Sequence, residues 1–361
     1  MCYYYTRMRS FSGILSLSDR LLTAGRFRHE ENGPEKSCNS WKRVQNECVN
    51  SERKAELEAR WRACCDPLPG RLPYLNRRPC RIKAAEGGQV FVEVLANRFP
   101  GKLSDEEWLQ VFADGLVVTK SEGEMVSDPY MKVEAGQQYE RLLPDWTEPD
   151  VSTNLKVVFE DEALLIIDKP APLPMHEGGR FCKNTLMSLM TQAWPELEVR
   201  YAHRLDAETS GVLVCVKGKG YRNVIQQSFE QGKVSKSYLA RVRGWPKWEE
   251  KVVNRSVPAE GRVWGKPQEA ITELQVCEKR DDGTTLLEAR PITGRTHQIR
   301  VHLWQEGYPI MGDRLYLPEG KQGAVEIAGL GAEPLALRSW KIAFPHPVTG
   351  EMVCFEVEGQ L

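Results

Sequence analysis

The sequence predicts an α+β fold in which helices pack on a largely antiparallel, mixed sheet. Two observations support this fold class. From about residue 150 to residue 361, short segments alternate polar and apolar positions, as antiparallel strands with one buried face do. Segments with helical spacing lie between these strands. A chain of 361 residues is also long enough to form more than one unit.

Residues 1–85 are predicted to be a poorly ordered N-terminal extension. The segment "SERKAELEARWRACC" is the exception, a predicted helix with Ser51 as its cap. The Pro- and Arg-rich segment "DPLPGRLPYLNRRPCR" is then predicted to be a linker. Residues 1–30 contain five Arg and two acidic residues, so an organellar targeting segment stays open beside a disordered extension or an over-long start.

Residues 86–147 are predicted to form a small unit of two helices followed by strands. The helices are "VFVEVLANRF" and "SDEEWLQVFADG"; Ser104 caps the second, and Gly115 ends it. The strands are "LVVTK" and "QQYERLL". This order is similar to a small RNA-binding domain first described in a ribosomal protein of the small subunit. However, residues 102–162 contain 15 acidic residues against 5 Lys/Arg, so a structural spacer stays open as well.

Residues 148–361 are predicted to form the third and largest unit. "LKVVFEDEALLIIDKP" indicates two strands around an acidic turn, and "LRSWKIAFPHPVTGEMVCFEVEG" indicates a hairpin. Further strands are "GVLVCVKG", "KSYLARVRG", "EAITELQVCEK" and "TTLLEARPI". The intervening helices are "NTLMSLMTQAW", "YRNVIQQSFEQG" and "RTHQIRVHLWQEG".

Charge and cysteine spacing narrow the classes of function. Residues 200–255 contain 12 Lys/Arg against 5 acidic residues, which favours a polyanionic partner, although a solvated basic surface has the same composition. The ten cysteines include no C-x2-C pair, which argues against a zinc ribbon. No apolar run approaches the roughly 18 residues of a membrane span. With no secretory signal, we expect a cytoplasmic protein with reduced thiols.

Three segments carry a resemblance to a known family. They are "HRLDAETSG", "RPITGRTHQIRVHLWQEGYPIMGDRLY" and "VVFEDEALLIIDKPAPLPMH", with support from "FPHPVTGE". Together they resemble the RluA-type pseudouridine synthases over about residues 150–361. The resemblance implies the pseudouridine-synthase fold and an isomerase that converts uridine in RNA to pseudouridine without metal or cofactor. "MHE" and "ALRSW" depart from the usual family pattern, which often has a proline and a His-Ala there.

Asp206 is the candidate nucleophile. A carboxylate attacks an electrophilic sugar carbon when it is ionised yet partly desolvated, so it needs a fixed cation nearby. Arg204 lies two residues before it, and on an extended backbone both side chains would share a face. Alternatively, Arg204 points into the RNA. From position alone, a turn residue followed by Thr-Ser-Gly caps is the competing interpretation.

Arg300 is the candidate cation. The segment from Thr296, a predicted helix cap, to Gly307 is predicted to be a helix on which His297 and Arg300 share a face. A guanidinium on a rigid helix is suited to a bidentate grip on a carboxylate, and the resemblance implies that its partner is Asp206. A surface salt bridge is the alternative role for this arginine.

Tyr238 is the third candidate catalytic residue. It lies on an alternating strand, and the resemblance implies that it stacks against the target base and helps to remove a proton from carbon five. A buried strand tyrosine is the alternative. Six further residues are predicted to contact RNA: His203, Arg204, Lys236, Arg243, Arg295 and His297.

The predicted function is therefore isomerisation of specific uridines in structured RNA, ribosomal RNA being favoured over transfer RNA. We expect RNA as the partner, no membrane association and a monomer. The first alternative is a catalytically inactive RNA-binding protein on the same scaffold. The second is a glycoside hydrolase that uses Asp206 and Glu208, although the surrounding cations suit phosphate better than neutral sugar.

Overall fold

The structure is a computed structural model and describes residues 42–43, 51–258, 266–323, 327, 329–358 and 361. These residues contain six α-helices: α1 (Ser51–Cys65), α2 (Phe91–Arg98), α3 (Asp105–Ala113), α4 (Leu186–Ala193), α5 (Lys219–Glu230) and α6 (Gln298–Gln305). The first eight strands are β1 (Lys42–Arg43), β2 (Tyr74–Arg81), β3 (Val117–Thr119), β4 (Gln138–Trp146), β5 (Lys156–Glu160), β6 (Leu164–Lys169), β7 (Arg200–Tyr201) and β8 (Ser210–Val216). The later strands are β9 (Ser235–Arg243), β10 (Glu250–Asn254), β11 (Val257–Pro258), β12 (Pro267–Gln268), β13 (Ile271–Lys279), β14 (Thr284–Pro291), β15 (Leu337–Pro345) and β16 (Met352–Glu356).

The main sheet has the strand order β10-β13-β14-β9-β15-β8-β6-β5, with β7 paired to β8 and β16 paired to β15 and β1. Its pairings are antiparallel except for β15 with β8 and β1 with β16. The predicted hairpins β5–β6 and β15–β16 are both present. The prediction of an α+β fold with a largely antiparallel, mixed sheet is confirmed.

The centre of the main sheet contains a close approach between two backbones. Gly211 of β8 and Ser339 of β15 are register partners. Gly211 has a φ of +112°, and a Cβ atom on it would lie 2.1 Å from the carbonyl oxygen of Ser339. Only glycine fits this position. The loop that precedes β8, which carries Asp206, therefore enters the sheet directly beside β15.

Helix α1 is built into the main core. Leu57 and Trp61 are fully buried, and the Trp61 ring lies 5.7 Å from that of Trp194, which follows α4. The Trp61 indole donates a hydrogen bond to the Thr153 carbonyl oxygen at 2.7 Å. The predicted helix is present. The prediction of a poorly ordered extension was wrong for residues 51–85, because burial of these aromatic side chains stabilises an ordered helix.

The small sheet has the order β2-β4-β3, and its first strand comes from the segment predicted to be a linker. β2 pairs antiparallel with β4 over most of its length. Pro79 and the prolines before it favoured a linker in the sequence. β2 is an edge strand, however, and an edge strand accommodates a proline because one side of it needs no ladder hydrogen bonds. The linker prediction was therefore wrong for residues 74–81.

Helices α2 and α3 pack on the small sheet as predicted. Ser104 caps α3: its hydroxyl accepts a hydrogen bond from Glu107 N, and the Glu107 carboxylate accepts one from Ser104 N. The buried side chains of this unit form a core of their own: Cys80, Ile82, Phe91, Val94, Leu95, Trp108, Val111, Phe112, Val117, Val126, Val133 and Tyr139. The sheet of the small unit thus begins before residue 86, at β2.

A buried carboxylate joins the small sheet to the main unit. Glu148, which follows β4, accepts hydrogen bonds from the backbone N–H groups of Cys182, Lys183 and Asn184 at 2.8–2.9 Å. The Tyr74 hydroxyl, at the start of β2, also donates to it. The side chain is only 5% exposed, so these donors provide the hydrogen bonds that water would make to an exposed carboxylate.

Two further sequence predictions concern the ends of the chain and membranes. Residues 1–30, for which a targeting segment was one alternative, lie outside the described residues. Within the part of the chain that the structure describes, every helix is too short or too polar to cross a membrane.

Candidate active site

Asp206 lies in the loop between β7 and β8. Leu205 anchors this loop in the main core, and Thr209 N donates a hydrogen bond to Asp206 O at 3.1 Å, which closes a turn. The Asp206 side chain retains 26% of its exposure. The carboxylate is thus held by a fixed backbone while it stays accessible from one side.

Lys169 lies beneath this loop, at the end of β6, and is fully buried. Its ammonium group donates hydrogen bonds to the carbonyl oxygens of Pro170, Leu173 and Ala207 at 2.9–3.1 Å. Burial lowers the pKa of Lys169 to about 7, and the charges of Asp206 and Asp168 oppose the shift. Because Ala207 directly follows Asp206, this lysine fixes the backbone of the candidate nucleophile.

Arg300 projects from α6 and is 1% exposed. Its bidentate partner is Asp313, at 2.8 Å from Nε and 3.0 Å from Nη2. Its Nη1 lies 3.6 Å from Asp206 Oδ2, which makes an ion pair without a close hydrogen bond. The expectation of a bidentate grip on Asp206 was therefore wrong: Asp313 holds the planar side of the guanidinium and leaves one nitrogen directed at Asp206.

The charge on Arg300 is secured by these carboxylates. Burial opposes it, but the hydrogen bonds and charge of Asp313, followed by the charges of Asp206 and Glu208, raise the pKa of Arg300 above its usual range. Asp313 is itself fixed, because its Oδ1 accepts hydrogen bonds from the backbone N–H groups of Leu315 and Tyr316. The guanidinium is thus a permanent cation in a fixed orientation.

Helix α6 begins at Gln298, and its N-cap is His297, with a φ of +55°. The prediction of Thr296 as the cap was wrong. The Gln298 amide explains the start of the helix: its oxygen accepts from Arg295 N at 3.0 Å, and its nitrogen donates to Ile271 O at 2.9 Å. The helix is therefore attached to β13 before it presents Arg300.

His297 faces the candidate nucleophile. Its Nε2 lies 3.9 Å from Asp206 Oδ1, and its Nδ1 is 3.1 Å from the Tyr316 hydroxyl. The side chain is buried, and its ring meets that of Tyr316 edge to face. Both ring nitrogens face protein groups, and the contact of His297 with RNA stays a prediction.

Tyr238 lies on β9 and is 8% exposed. Its register partner on β15 is Ser339, whose hydroxyl donates a hydrogen bond to the Val212 carbonyl oxygen at 3.0 Å. Burial, followed by the charge of Asp206, raises the pKa of Tyr238 above its usual range, and Ser339 opposes the shift. The hydroxyl is thus a neutral phenol at neutral pH.

The site combines the partly exposed carboxylate of Asp206, the buried guanidinium of Arg300 and the ring of Tyr238. The carboxylate lies close to both charged and hydrogen-bonding groups, as a nucleophile or base that acts on a sugar requires. A family model described as RNA pseudouridylate synthase matches residues 163–305, the range that contains Asp206, Tyr238 and Arg300. An RNA pseudouridine synthase of Aquifex aeolicus, described as uncharacterized, is 31% identical over 263 residues, which cover 68% of this chain and 82% of that protein. The chain belongs to the RNA pseudouridine synthase family.

Other relatives place the chain with the RluA type. The dual-specificity RNA pseudouridine synthase RluA of Vibrio parahaemolyticus is 33% identical, over 58% of this chain and 82% of that enzyme. The ribosomal large subunit pseudouridine synthase C of Pasteurella multocida is 36% identical, over 54% of this chain and 62% of that enzyme. The resemblance seen in the sequence is confirmed, and the protein is an isomerase of this family.

His203 has a structural position in this enzyme. Its Nε2 accepts a hydrogen bond from Val214 N at 3.2 Å, so it supports β8. Burial, followed by the charge of Lys236, lowers the pKa of His203 to about 3. The ring is neutral at physiological pH and its acceptor is used. The contact of His203 with RNA stays a prediction.

The four other predicted RNA contacts differ in exposure. Arg204, Arg243 and Arg295 are exposed, and Arg243 lines a cavity of about 240 Å³ that Asp313 and Arg314 also line. Lys236 is half-buried, with its ammonium group 5.9 Å from the centroid of the Phe229 ring, and burial lowers its pKa. The three arginines are accessible to RNA, and their contacts with it stay predictions.

Sequence reasoning assigned no role to Lys169, Asp313 or Ser339. For Lys169, the available signal was a lysine at the end of an apolar strand. For Asp313, it was an acid in "MGDRLY", after the arginine helix. The glycoside hydrolase alternative placed Asp206 and Glu208 on one strand face. They lie instead in a loop and turn, and Glu208 is buried at 4% exposure.

Proposed function

We propose that this enzyme isomerises uridines in structured ribosomal RNA, with Asp206, Tyr238 and Arg300 as its catalytic residues. The observation that carries the assignment is the distance of 3.6 Å between Arg300 Nη1 and Asp206 Oδ2. The Asp206 carboxylate remains partly exposed at this distance. Support for ribosomal RNA comes from the relative named as a ribosomal large subunit enzyme. Transfer RNA is the competing substrate, because relatives named dual-specificity RNA pseudouridine synthases do not limit the substrate to ribosomal RNA.

The proposed reaction begins with extrusion of the uridine from its helix or loop, because a stacked nucleotide does not expose its glycosidic bond. Asp206 promotes cleavage of the bond between N1 and the anomeric carbon, either by attack on that carbon or as a base on the neighbouring ribose carbon. The detached uracil turns over, and its carbon five bonds to the anomeric carbon. On the first route this breaks the bond between that carbon and Asp206, and on the second the neighbouring ribose carbon regains its proton from Asp206. The proton lost from carbon five and the proton gained by N1 balance, so the reaction is an isomerisation.

Each of the other two residues has a defined part. Asp313 holds Arg300 in place. Arg300 therefore stabilises the negative charge of Asp206 both before and after Asp206 acts on the sugar. Tyr238 supplies the aromatic ring against which the uracil rests, and its raised pKa keeps its hydroxyl neutral. One chain supplies all three groups, which supports a monomer as the active form. We further propose that it acts in the cytoplasm.

The first test is the substitution Asp206→Asn. We expect the loss of pseudouridine formation by about four orders of magnitude or more, because the amide neither attacks the sugar nor acts as a base. RNA binding is expected to fall only modestly. Pseudouridine is measured by mass spectrometry of nuclease digests of RNA treated with each protein. If the Asn variant still forms pseudouridine, the assignment of Asp206 is wrong.

The second test addresses the substrate and the inactive alternative together. Ribosomal and transfer RNA transcripts are incubated with the wild-type protein, and pseudouridines are mapped in each. Pseudouridine in the ribosomal RNA transcript supports the proposal. Pseudouridine only in the transfer RNA transcript would show that transfer RNA is the substrate instead. Absence of product from both, with RNA still bound, would favour a catalytically inactive RNA-binding protein.

A further inference from the structure

The core-facing side of the small sheet carries two arginines that are direct neighbours. Arg78 of β2 and Arg141 of β4 are register partners, as are Cys80 and Tyr139 in the next row, which lie in the core of the small unit. Directly opposed residues have Cβ atoms about 5 Å apart, and like charges in such a pair destabilise the sheet. The sheet therefore keeps two cations together at a cost.

Each arginine lies over a tryptophan ring. The guanidinium carbon of Arg141 is 4.7 Å from the ring centroid of Trp108, and that of Arg78 is 5.6 Å from that of Trp146. Both arginines are half-buried, and burial lowers the pKa of Arg141. The aromatic faces orient the guanidinium groups, but they provide no hydrogen-bond acceptor in the plane of the donors.

Several buried donors of this face have no acceptor. They are Arg78 Nη2, Arg141 Nε, Trp108 Nε1 and Trp146 Nε1, and neither amide atom of Asn76, which is 1% exposed, has a partner. Within the described part of the chain, no ion pair involves Arg78 or Arg141. Each buried donor without a partner costs about 1–3 kcal/mol. Arg78 and Arg141 are only half-buried, so their other guanidinium nitrogens, which are not among these buried atoms, are open to an anion.

The face adjoins the segment that leads to the active site. Burial and the charge of Glu177 raise the pKa of Cys182, and the charge of Arg78 opposes this, so Arg78 is near that thiol. At the other end of the same segment, burial and the charge of Arg204 lower the pKa of His176. Two arginines, Arg204 and Arg78, thus lie near opposite ends of the segment from His176 to Cys182.

We propose that Arg78 and Arg141 form a second RNA-binding site, which holds backbone phosphates of the substrate while its target uridine occupies the catalytic cleft. This inference rests on the proposed function. A phosphodiester supplies negative charge together with acceptors for both guanidinium groups. The half-buried Trp146 ring adds a surface for base stacking. Since residues 102–162 are strongly acidic, this contact is local rather than part of a broad basic surface.

The test uses the double variant Arg78→Gln, Arg141→Gln and a fluorescein-labelled ribosomal RNA transcript. Binding is followed by anisotropy over a range of salt concentrations. We expect binding about tenfold weaker than that of the wild-type protein, and a salt slope smaller by about two, because two phosphate contacts are lost. Unchanged affinity and an unchanged slope would overturn the proposal.

The chain offers a matched control in Arg77. It neighbours Arg78 but lies on the opposite face, where it forms an ion pair with Glu140 at 3.0 Å. Arg77→Gln is expected to leave the affinity and the salt slope close to those of the wild-type protein. If it weakens binding as much as the double variant, the effect is one of net charge, and the proposed site is wrong.

Thermal denaturation separates this site from a purely structural role. Removal of two unpaired cations is expected to leave the melting temperature unchanged or higher. A lower melting temperature with normal RNA affinity would show that the arginines serve only packing, which contradicts the proposal. Binding is measured independently of pseudouridine formation. Failure of the wild-type protein to form pseudouridine would therefore refute the proposed function, and normal RNA binding by the double variant would refute this inference alone.

Discussion

The two arginine sites of this protein solve the problem of a buried cation in opposite ways. Arg300 is 1% exposed, has a bidentate carboxylate in Asp313, and lies near a second carboxylate in Asp206. Arg141 is half-buried against a tryptophan, directly opposite Arg78, and its buried Nε has no acceptor. The first cation is neutralised by the fold, whereas the second is left for a ligand.

The difference shows what each site needs before RNA arrives. A catalytic carboxylate requires its cation in a fixed place at all times, so Asp313 orients Arg300 in the free enzyme. A phosphate-binding face gains from donors without partners, because the ligand then displaces no internal acceptor. A buried cation without a carboxylate partner lowers the stability of the fold. A buried cation with such a partner is stabilised by it, so loss of either member of the pair lowers the stability. Stability measurements therefore distinguish the two sites.

The largest expected effect is that of Arg300→Met. This substitution leaves Asp313 and Asp206 as buried or partly buried carboxylates without their cation. We expect the free energy of unfolding to fall by about 3–5 kcal/mol. We also expect activity to fall at least about a hundredfold, because Asp206 loses its electrostatic partner. Denaturant titration measures the first effect, and single-turnover assays of the folded fraction measure the second.

A surface arginine serves as the control for that substitution. Arg290 pairs with Glu288 at 2.9 Å, and about half of its side chain is exposed. Arg290→Met is expected to cost less than about 1 kcal/mol. Equal losses for the two variants would show that the Arg300–Asp313 pair has no special weight, and the comparison between the two arginine sites would fail.

An intermediate effect is expected for Lys169→Met. Methionine has a similar size but donates no hydrogen bonds, so the carbonyl oxygens of Pro170, Leu173 and Ala207 lose a shared donor. We expect a loss of about 2–3 kcal/mol in the free energy of unfolding. A decrease in the turnover rate should accompany it, because the Ala207 backbone adjoins Asp206. The exposed Lys219→Met is the control, with an expected change within about 0.5 kcal/mol.

The smallest effect concerns Arg98, a partnered arginine within the small unit. Its Nε bonds to Glu86 Oε1 at 2.9 Å, and this bond, followed by that of Lys83 N, lowers the pKa of Glu86 to about 2. A carboxyl whose pKa is depressed on folding adds stability above its unfolded pKa. That stability is lost as the pH falls from about 4.5 to about 2.

The Glu86→Gln variant isolates this contribution. Its stability is expected to lie within about 1 kcal/mol of the wild-type value at neutral pH, because the pair is near the surface. The difference between the two proteins should shrink as the pH approaches about 2, where Glu86 is protonated. A difference that stays constant over this range would show that Glu86 stabilises the protein by packing and not by charge.

The sequence predicted the elements and the grouping of the candidate site residues better than the partners that hold them. Asp206, Tyr238 and Arg300 occur in long, specific motifs, and the structure brings them together around one site. Alternating patterns predicted the antiparallel strands, because side-chain burial follows local periodicity. The bidentate bond of Arg300 to Asp313 was missed, since the two residues lie on separate elements and no local pattern joins them.

The errors in the N-terminal part have a similar origin. Prolines around β2 favoured a linker, because a single sequence does not reveal that β4 pairs with this strand. The burial of Trp61 in the main core depends on α4, which lies more than a hundred residues later. Outside this part of the chain, the hydrogen bond from Val214 N to His203 was missed for the same reason, because it is a tertiary contact.

The junction at Glu148 has a consequence for substrate choice. One carboxylate clamps the start of β2 and the segment 182–184 together, so the separation between the small sheet and the catalytic cleft is set by the protein alone. The protein therefore fixes the distance between its two proposed RNA contacts. An RNA would be selected by whether a second stretch of its backbone stands at the right distance from the uridine, whatever the bases between them.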